Sequence, residues 1–183
     1  MFDLLHPAIQ RVVQAASRKG VSLDVRPVQG SVRTAEKIAQ ALEVEVGQVV
    51  TPVLLVASRP DGRLARIVCL VSGTNQVDLA LLASVSGEVG VRRAYPSELA
   101  RLGGSDILPF GYGRDVPVYM DRDMCKCEWL WIALAANTAV LRVAPGTLRM
   151  LANAVVAPII ESSPTFAPRV NWLDHMASVQ SAA

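Results

Sequence analysis

The chain has 183 residues, 51% of them apolar and 19% charged, which is one domain's worth of core-forming sequence and excludes a disordered chain. Its net charge of +2 lacks the basic excess of a broad nucleic-acid binder, yet a domain that touches only the end of a strand needs few phosphate contacts. No apolar run reaches the roughly 18 residues that a membrane-spanning helix requires.

In chain order, Leu5, Ile9, Val12, Val13 and Ala16 recur at helical spacing, which predicts a helix over Leu4 to Ser17 that stops before Gly20. Ser22 to Val28 alternates like a strand. Thr34 is placed to cap a helix whose first turn holds Glu36, and that helix is expected to end near Gly47. Gln48 to Ser58 and Arg63 to Ser72 are β-rich runs joined by Arg59-Pro60-Asp61-Gly62, a hairpin signature. Pro52 removes a ladder donor and points to an edge or a bulge. A helix over about Asp78 to Val85, a short strand around Val89 to Arg93 and a helix from Pro96 to Gly103-Gly104 follow. Gly104 to Asp115 reads as a loop. Val116 to Met120, Glu128 to Ala135 and Ala139 to Val143 read as strands, and Pro145 opens a last helix ending near Asn153. Hairpins mixed with helices predict an α+β fold, a mixed and mostly antiparallel sheet flanked by helices. Residues 1–160 form the expected domain. After Pro158 the composition shifts to Ser, Pro and Thr, so 161–183 is read as a tail, with Asn171 to Ser178 as a short helix on it.

Several side chains invite chemistry. Cys125-Lys126-Cys127 lies near Asp121 and Asp123, but zinc wants four ligands and no second pair has suitable spacing, so a half-buried strand edge is expected and no metal. The cysteines, Cys69, Cys125 and Cys127, are odd in number. With Asp3 and His6-Pro7 where a secretory signal would put a basic flank, they fit reduced thiols in a cytoplasmic protein off the membrane. His6 and His175 lie at the chain ends, the first at a helix start and the second on the tail, which argues against a Ser-His-Asp machine. Asp78 is read as the cap of the helix that follows rather than as a general base. Trp129 and Trp131 alternate on one strand and are read as core or interface. Arg63, Arg66, Arg92, Arg93, Arg101 and Arg114 would grip phosphates if they converge at a pocket mouth.

The series His6-Pro7, Thr34-Ala35-Glu36, Gly73-Thr74-Asn75-Gln76-Val77-Asp78, Pro109-Phe110-Gly111 and Pro117-Val118-Tyr119-Met120-Asp121 resembles, in order and spacing, the YbaK family. That group includes the editing domain inserted in bacterial prolyl-tRNA synthetases and its free-standing relatives. The resemblance implies a cofactor-free hydrolase for the ester between a wrong amino acid and its tRNA. Its partners would be the tRNA acceptor end and an aminoacyl-tRNA synthetase. A synthetase pocket discriminates one methylene by only about 1–3 kcal/mol, so a second sieve is needed. The ester is already activated, and a positioned water with donors at the developing oxyanion suffices.

Three positions depart from the family pattern. The lysine on the first hairpin strand is replaced by Thr51, the glycine of a Gly-x-x-x-Pro loop by Ser105 with Asp106 following, and a Gly-Ser-x-Asn motif reads Leu134-Ala135-Ala136-Asn137. The resemblance therefore assigns Thr51, Ser105 and Asp106 to catalysis, and Gly73, Pro109, Gly111 and Asn137 to substrate binding. Asp106 reads equally as a water-orienting carboxylate or as a turn aspartate. Loss of the lysine leaves a second function open, a non-catalytic tRNA- or ligand-binding module on the same fold. Both require the hairpin carrying Thr51 to face the turn at Phe110 across a cavity.

Overall fold

The computed structural model describes residues 6–28, 34–73, 75–102, 107–113, 115–134 and 138–161. Its helices are α1 (Pro7–Ser17), α2 (Ala35–Leu42), α3 (Leu79–Ser86), α4 (Pro96–Leu102) and α5 (Pro145–Ala152). Its strands are β1 (Asp24–Pro27), β2 (Val49–Ser58), β3 (Leu64–Ser72), β4 (Arg92–Arg93), β5 (Val118–Asp121), β6 (Leu130–Leu134), β7 (Ala139–Val143) and β8 (Val155–Ala157). They form one mixed, mostly antiparallel sheet in the order β1-β7-β6-β2-β3-β5-β8, with β4 also on β2. The α+β architecture expected from the sequence is the one present.

Local chemistry explains most boundaries. His6 caps α1, its Nδ1 accepting the Ala8 N–H at 3.3 Å, and Pro7 supplies the fixed φ of the first helical position. The Thr34 hydroxyl accepts the Lys37 N–H at 3.4 Å. The helix it opens ends at Leu42 rather than near Gly47. Glu43 takes the left-handed conformation at φ 55°, and Gly47 falls inside a separate 3-10 turn, Val46–Gln48. The Asp78 carboxylate accepts the N–H groups of Ala80 and Leu81 at 2.9 and 3.0 Å, so it is the cap of α3. The hairpin closes through Gly62 at φ 77°, whose N–H donates to the Arg59 carbonyl.

Three further differences from the sequence reading stand out. The strand expected at Val89 to Arg93 contracts to the two residues of β4. The Cys125-Lys126-Cys127 segment is no strand edge: Arg122–Lys126 is a 3-10 turn capped by the fully buried Asp121, which accepts N–H bonds from Asp123 and Ile159. The third is a strand unseen in the sequence. β8 is three residues long and begins two residues after the left-handed Asn153, so it shows no alternation to read. It runs parallel to β5 and covers that strand's outer edge.

The sheet has a core on each face. On one face α1, α5 and the 107–118 segment bury Val50, Leu54, Val68 and Leu70 together with Ile9, Phe110 and Leu148. On the other face α3 covers Leu55, Ile67, Cys69 and Val71 through the fully buried Leu82. On that same face α2 covers Val49 and Val140 through Ile38 and Ala39. The uninterrupted β2–β3 register, Val50↔Ser72 to Ser58↔Leu64, makes the alternation strict, so Thr51 and Val53 belong to the α2–α3 face.

Candidate functional site

Pro52 explains the sheet's main irregularity. On one side β2 pairs with β3 from Val50 to Ser58. On its other side it meets β6 only at Val49 and Val50, and β4 only at Leu55 and Val56. Among the described residues no strand occupies that side from Thr51 to Leu54. Pro52 cannot donate a ladder bond, so a continuous neighbour there would be weakened. No bulge is present; the proline sits on a local edge inside a large sheet. Such an edge offers backbone N–H and C=O groups to a ligand.

Thr51 stands at one end of this gap, half-buried, between α2 and α3. Its register partner is Val71, and Val53 follows on the same face. Gly73, the residue just after β3, continues that row, its N–H donating to the Val49 carbonyl at 2.6 Å. At the far end, Leu55↔Arg93 pairing puts Arg93 on the same face as Thr51, about 13 Å along the strand. The Arg93 guanidinium donates to Gln76 Oε1 at 3.5 Å, which links it to the loop after Gly73. The gap thus carries a hydroxyl at one end, a cation at the other and an apolar floor.

Arg92, one residue earlier, faces the other way and fixes this end of the gap. Its guanidinium grips both carboxylate oxygens of Glu98 at 2.8 Å and lies 4.4 Å over the Tyr95 ring. The Tyr95 N–H donates to Glu98 at 2.7 Å. Arg92 first, and the Tyr95 amide second, hold the Glu98 carboxyl down at about 2. This knot ties the start of α4 to β4 and so positions Arg93.

Two of the remaining arginines are engaged elsewhere, and Arg101 lies near enough to Glu98 to help hold its carboxyl down. Arg63 pairs with Asp61 at the hairpin tip and Arg66 pairs with Asp115, while Arg114 lies outside the described residues. Arg101 lies on α4. Trp129 is exposed, whereas Trp131 is half-buried and packs against the α2 core. They share a face as expected, with the Arg142 guanidinium 4.5 and 6.0 Å from their rings. Among the described residues no three His, Cys, Asp or Glu side chains come together to hold a metal ion.

The other assigned residues divide. Ser105, Asp106 and Asn137, and also His175, lie outside the described residues. Pro109 and Phe110 are buried, and Phe110 packs in the α1 core with Val50 and Leu54, on the face opposite to Thr51. The cavity expected between Thr51 and Phe110 is therefore not there, because the sheet lies between their side chains. Gly111, at φ 95°, sits against Ala15 of α1 and lines a different cleft of about 620 Å³. Lys19, Tyr112, Val116, Leu151 and Asn153 also line that cleft. In the sequence Arg93 is named only as one of six scattered arginines, with nothing used to set it apart. Its signal was the Arg92-Arg93 pair on a strand, which must send one guanidinium to each face.

The model of the aminoacyl-tRNA editing domain family matches residues 29–151. Among solved structures, a candidate trans-editing enzyme for prolyl-tRNA synthetase is 32% identical, with 85% of this chain covering 98% of that one at a TM-score of 0.71. A scaffold protein used for computational epitope grafting is 30% identical over the same shares at 0.69. The hypothetical protein APE2540, 19% identical, shares the fold at a TM-score of 0.72, with 82% of this chain covering 99% of that one. No curated protein sequence gives a significant match. None of the described helices is long and apolar enough to cross a membrane. A family model matching two thirds of the chain, and a relative of this identity covered nearly end to end, leave one conclusion: the chain belongs to the aminoacyl-tRNA editing domain family.

Proposed function

We propose that the chain is a trans-acting editing hydrolase that removes a mis-attached amino acid from tRNA. Water adds to the ester carbonyl, the bond to the tRNA 3′-terminal oxygen breaks, and free amino acid and uncharged tRNA leave. The observation that carries this reading is the gap along β2 at Thr51–Leu54, in a chain of this family. The acyl group would lie along that edge, with the Thr51 hydroxyl directed at the ester and Arg93 at an acceptor-end phosphate. Ser105 and Asp106 would orient the water and Asn137 would bind the substrate; their assignment rests on their places in the family pattern. Gly73, Pro109 and Gly111 would act through the backbone: Gly73 by letting β3 close on the 3-10 turn at Val46, the other two by shaping the chain that carries Ser105 and Asp106.

One observation favours a second reading. Thr51 stands where the family pattern has a lysine, and a neutral hydroxyl cannot supply a charge-assisted contact. A module that binds the tRNA end without turnover would keep the gap and dispense with the cation. Incubation with a panel of mischarged tRNAs separates the two. Deacylation above the buffer rate for at least one member supports the hydrolase. Background rates throughout, with cleavage gained by Thr51→Lys, support the binding module.

A further inference from the structure

α3 is more exposed than its composition suits. Between Asp78 and Glu88 no residue is charged, and the helix itself reads Leu-Ala-Leu-Leu-Ala-Ser-Val-Ser. A helix apolar on all sides belongs inside a protein. Only Leu82 is fully buried, however, while Leu81 and Val85, one turn apart, are 38% and 40% exposed on the outer side beside Ala80 and Ser84. Val155 at the sheet edge adds to the same face: its partner Tyr119 and its neighbour Ala157 both belong to the α3 core, and it is 52% exposed.

The chain leaves the described fold beside this surface. Ile160 bridges Val77, the Glu161 N–H donates to the Gln76 carbonyl at 3.0 Å, and α3 begins only two residues after Val77. The residues beyond Glu161 are not composed like a solvated tail. Trp172, Leu173, Met176 and Val179 recur at spacings of three and four, separated by Asp174, His175 and Ser178. The ten residues 162–171 reach at most about 33 Å, and α3 is about 12 Å long, so the apolar segment can lie on any part of it.

We propose that residues 172–179 of this chain dock on the outer face of α3 and cover Leu81 and Val85. The contact joins two apolar stripes that each lack a charged residue at their centre, on a helix whose own sequence demands a cover. It does not depend on the editing reading.

The test uses the full chain with Trp129→Phe and Trp131→Phe, which leaves Trp172 as the sole tryptophan, excited at about 295 nm so that the tyrosines stay dark. Its emission should be blue-shifted relative to a free peptide of residues 162–183, independently of protein concentration. Leu81→Asp and Val85→Asp should each return the emission to that of the peptide, and Val13→Asp, on the outer side of α1, should not. Both α3 variants change exposed residues, so retained far-ultraviolet circular dichroism is expected. Amides 79–86 should also exchange hydrogen at least tenfold faster in Leu173→Asp than in the parent. Peptide-like emission in the parent, or a blue shift indifferent to both α3 variants, overturns the proposal. A blue shift that appears only with dimerisation on dilution-controlled chromatography gives the face to a second copy and overturns it as well.

Discussion

Gly73 packs directly against Val46: a Cβ at position 73 would lie 2.5 Å from the Val46 carbonyl oxygen and 2.6 Å from Val46 Cγ1. The same Cβ would lie 3.3 Å from Ala35 Cβ, so it would be crowded by both backbone and side chains. Gly73→Ala is therefore expected to destabilise the fold by about 1–3 kcal/mol through overpacking. Thermal unfolding followed by circular dichroism should show the midpoint fall by several degrees. The same substitution at Gly146, where a Cβ meets nothing within 4 Å, should leave the midpoint nearly unchanged or raise it.

Arg93 gives a prediction about binding rather than folding. It faces the gap while Arg92 is consumed by Glu98, so Arg93→Ala should weaken binding of an acceptor-stem RNA and leave the fold intact. If it neutralises one phosphate, the slope of log affinity against log salt should fall by about 1. Fluorescence anisotropy at several salt concentrations measures this directly. An unchanged slope would remove Arg93 from the interface.

Glu98 supplies a pH dependence whose sign is fixed. Its carboxyl is held at about 2 in the fold, below the ordinary glutamate range, so its contribution is fully present above that ordinary range. It is lost progressively as the pH falls towards about 2. Glu98→Gln should be less stable than the parent at neutral pH, and the difference should shrink between about pH 4.5 and pH 2. Parallel melting curves for the two proteins across that window would contradict the pairing with Arg92.

The cysteines should separate by reactivity. Burial pushes the Cys69 thiol up to about 12, and it is fully enclosed, so it should resist alkylation in the folded protein. Cys125 is exposed and should react first. Cys127 is half-buried, and its thiol is raised by burial, then by Glu45 and Cys125, so it should follow more slowly. Mass spectrometry of a timed iodoacetamide reaction should show one fast, one slow and one protected site.

Much of the fold was legible because its elements carry their own punctuation. Thr34 and Asp78 are caps with free backbone N–H groups three residues ahead of them, and Asp61-Gly62 sets a tight hairpin whose register then fixes every side chain on β2 and β3. The misses lie where tertiary contacts outrank local pattern. β8 is a strand only because β5 has an edge to cover, and α2 stops early because Glu43 accepts a left-handed conformation that no sequence rule demands of glutamate. The site was legible in part for the same reason. Pro52 announced an edge, and an edge is there. The pairing of Thr51 with Phe110 failed because family order along a chain carries no information on which side of a sheet each segment returns, and Phe110 came back beneath it.

Ligand binding along β2 on the α2–α3 face is tested most directly by a single titration. A non-hydrolysable acceptor-stem RNA carrying an amide-linked amino acid is added to isotopically labelled protein, and backbone amide shifts are mapped. The amides of Thr51, Val53, Gly73 and Arg93 should move, while those of Gly111, Tyr112 and Asn153 stay in place. Shifts confined to the Gly111 cleft, with Thr51 and Val53 unmoved, would contradict the claim and transfer the site to the opposite face.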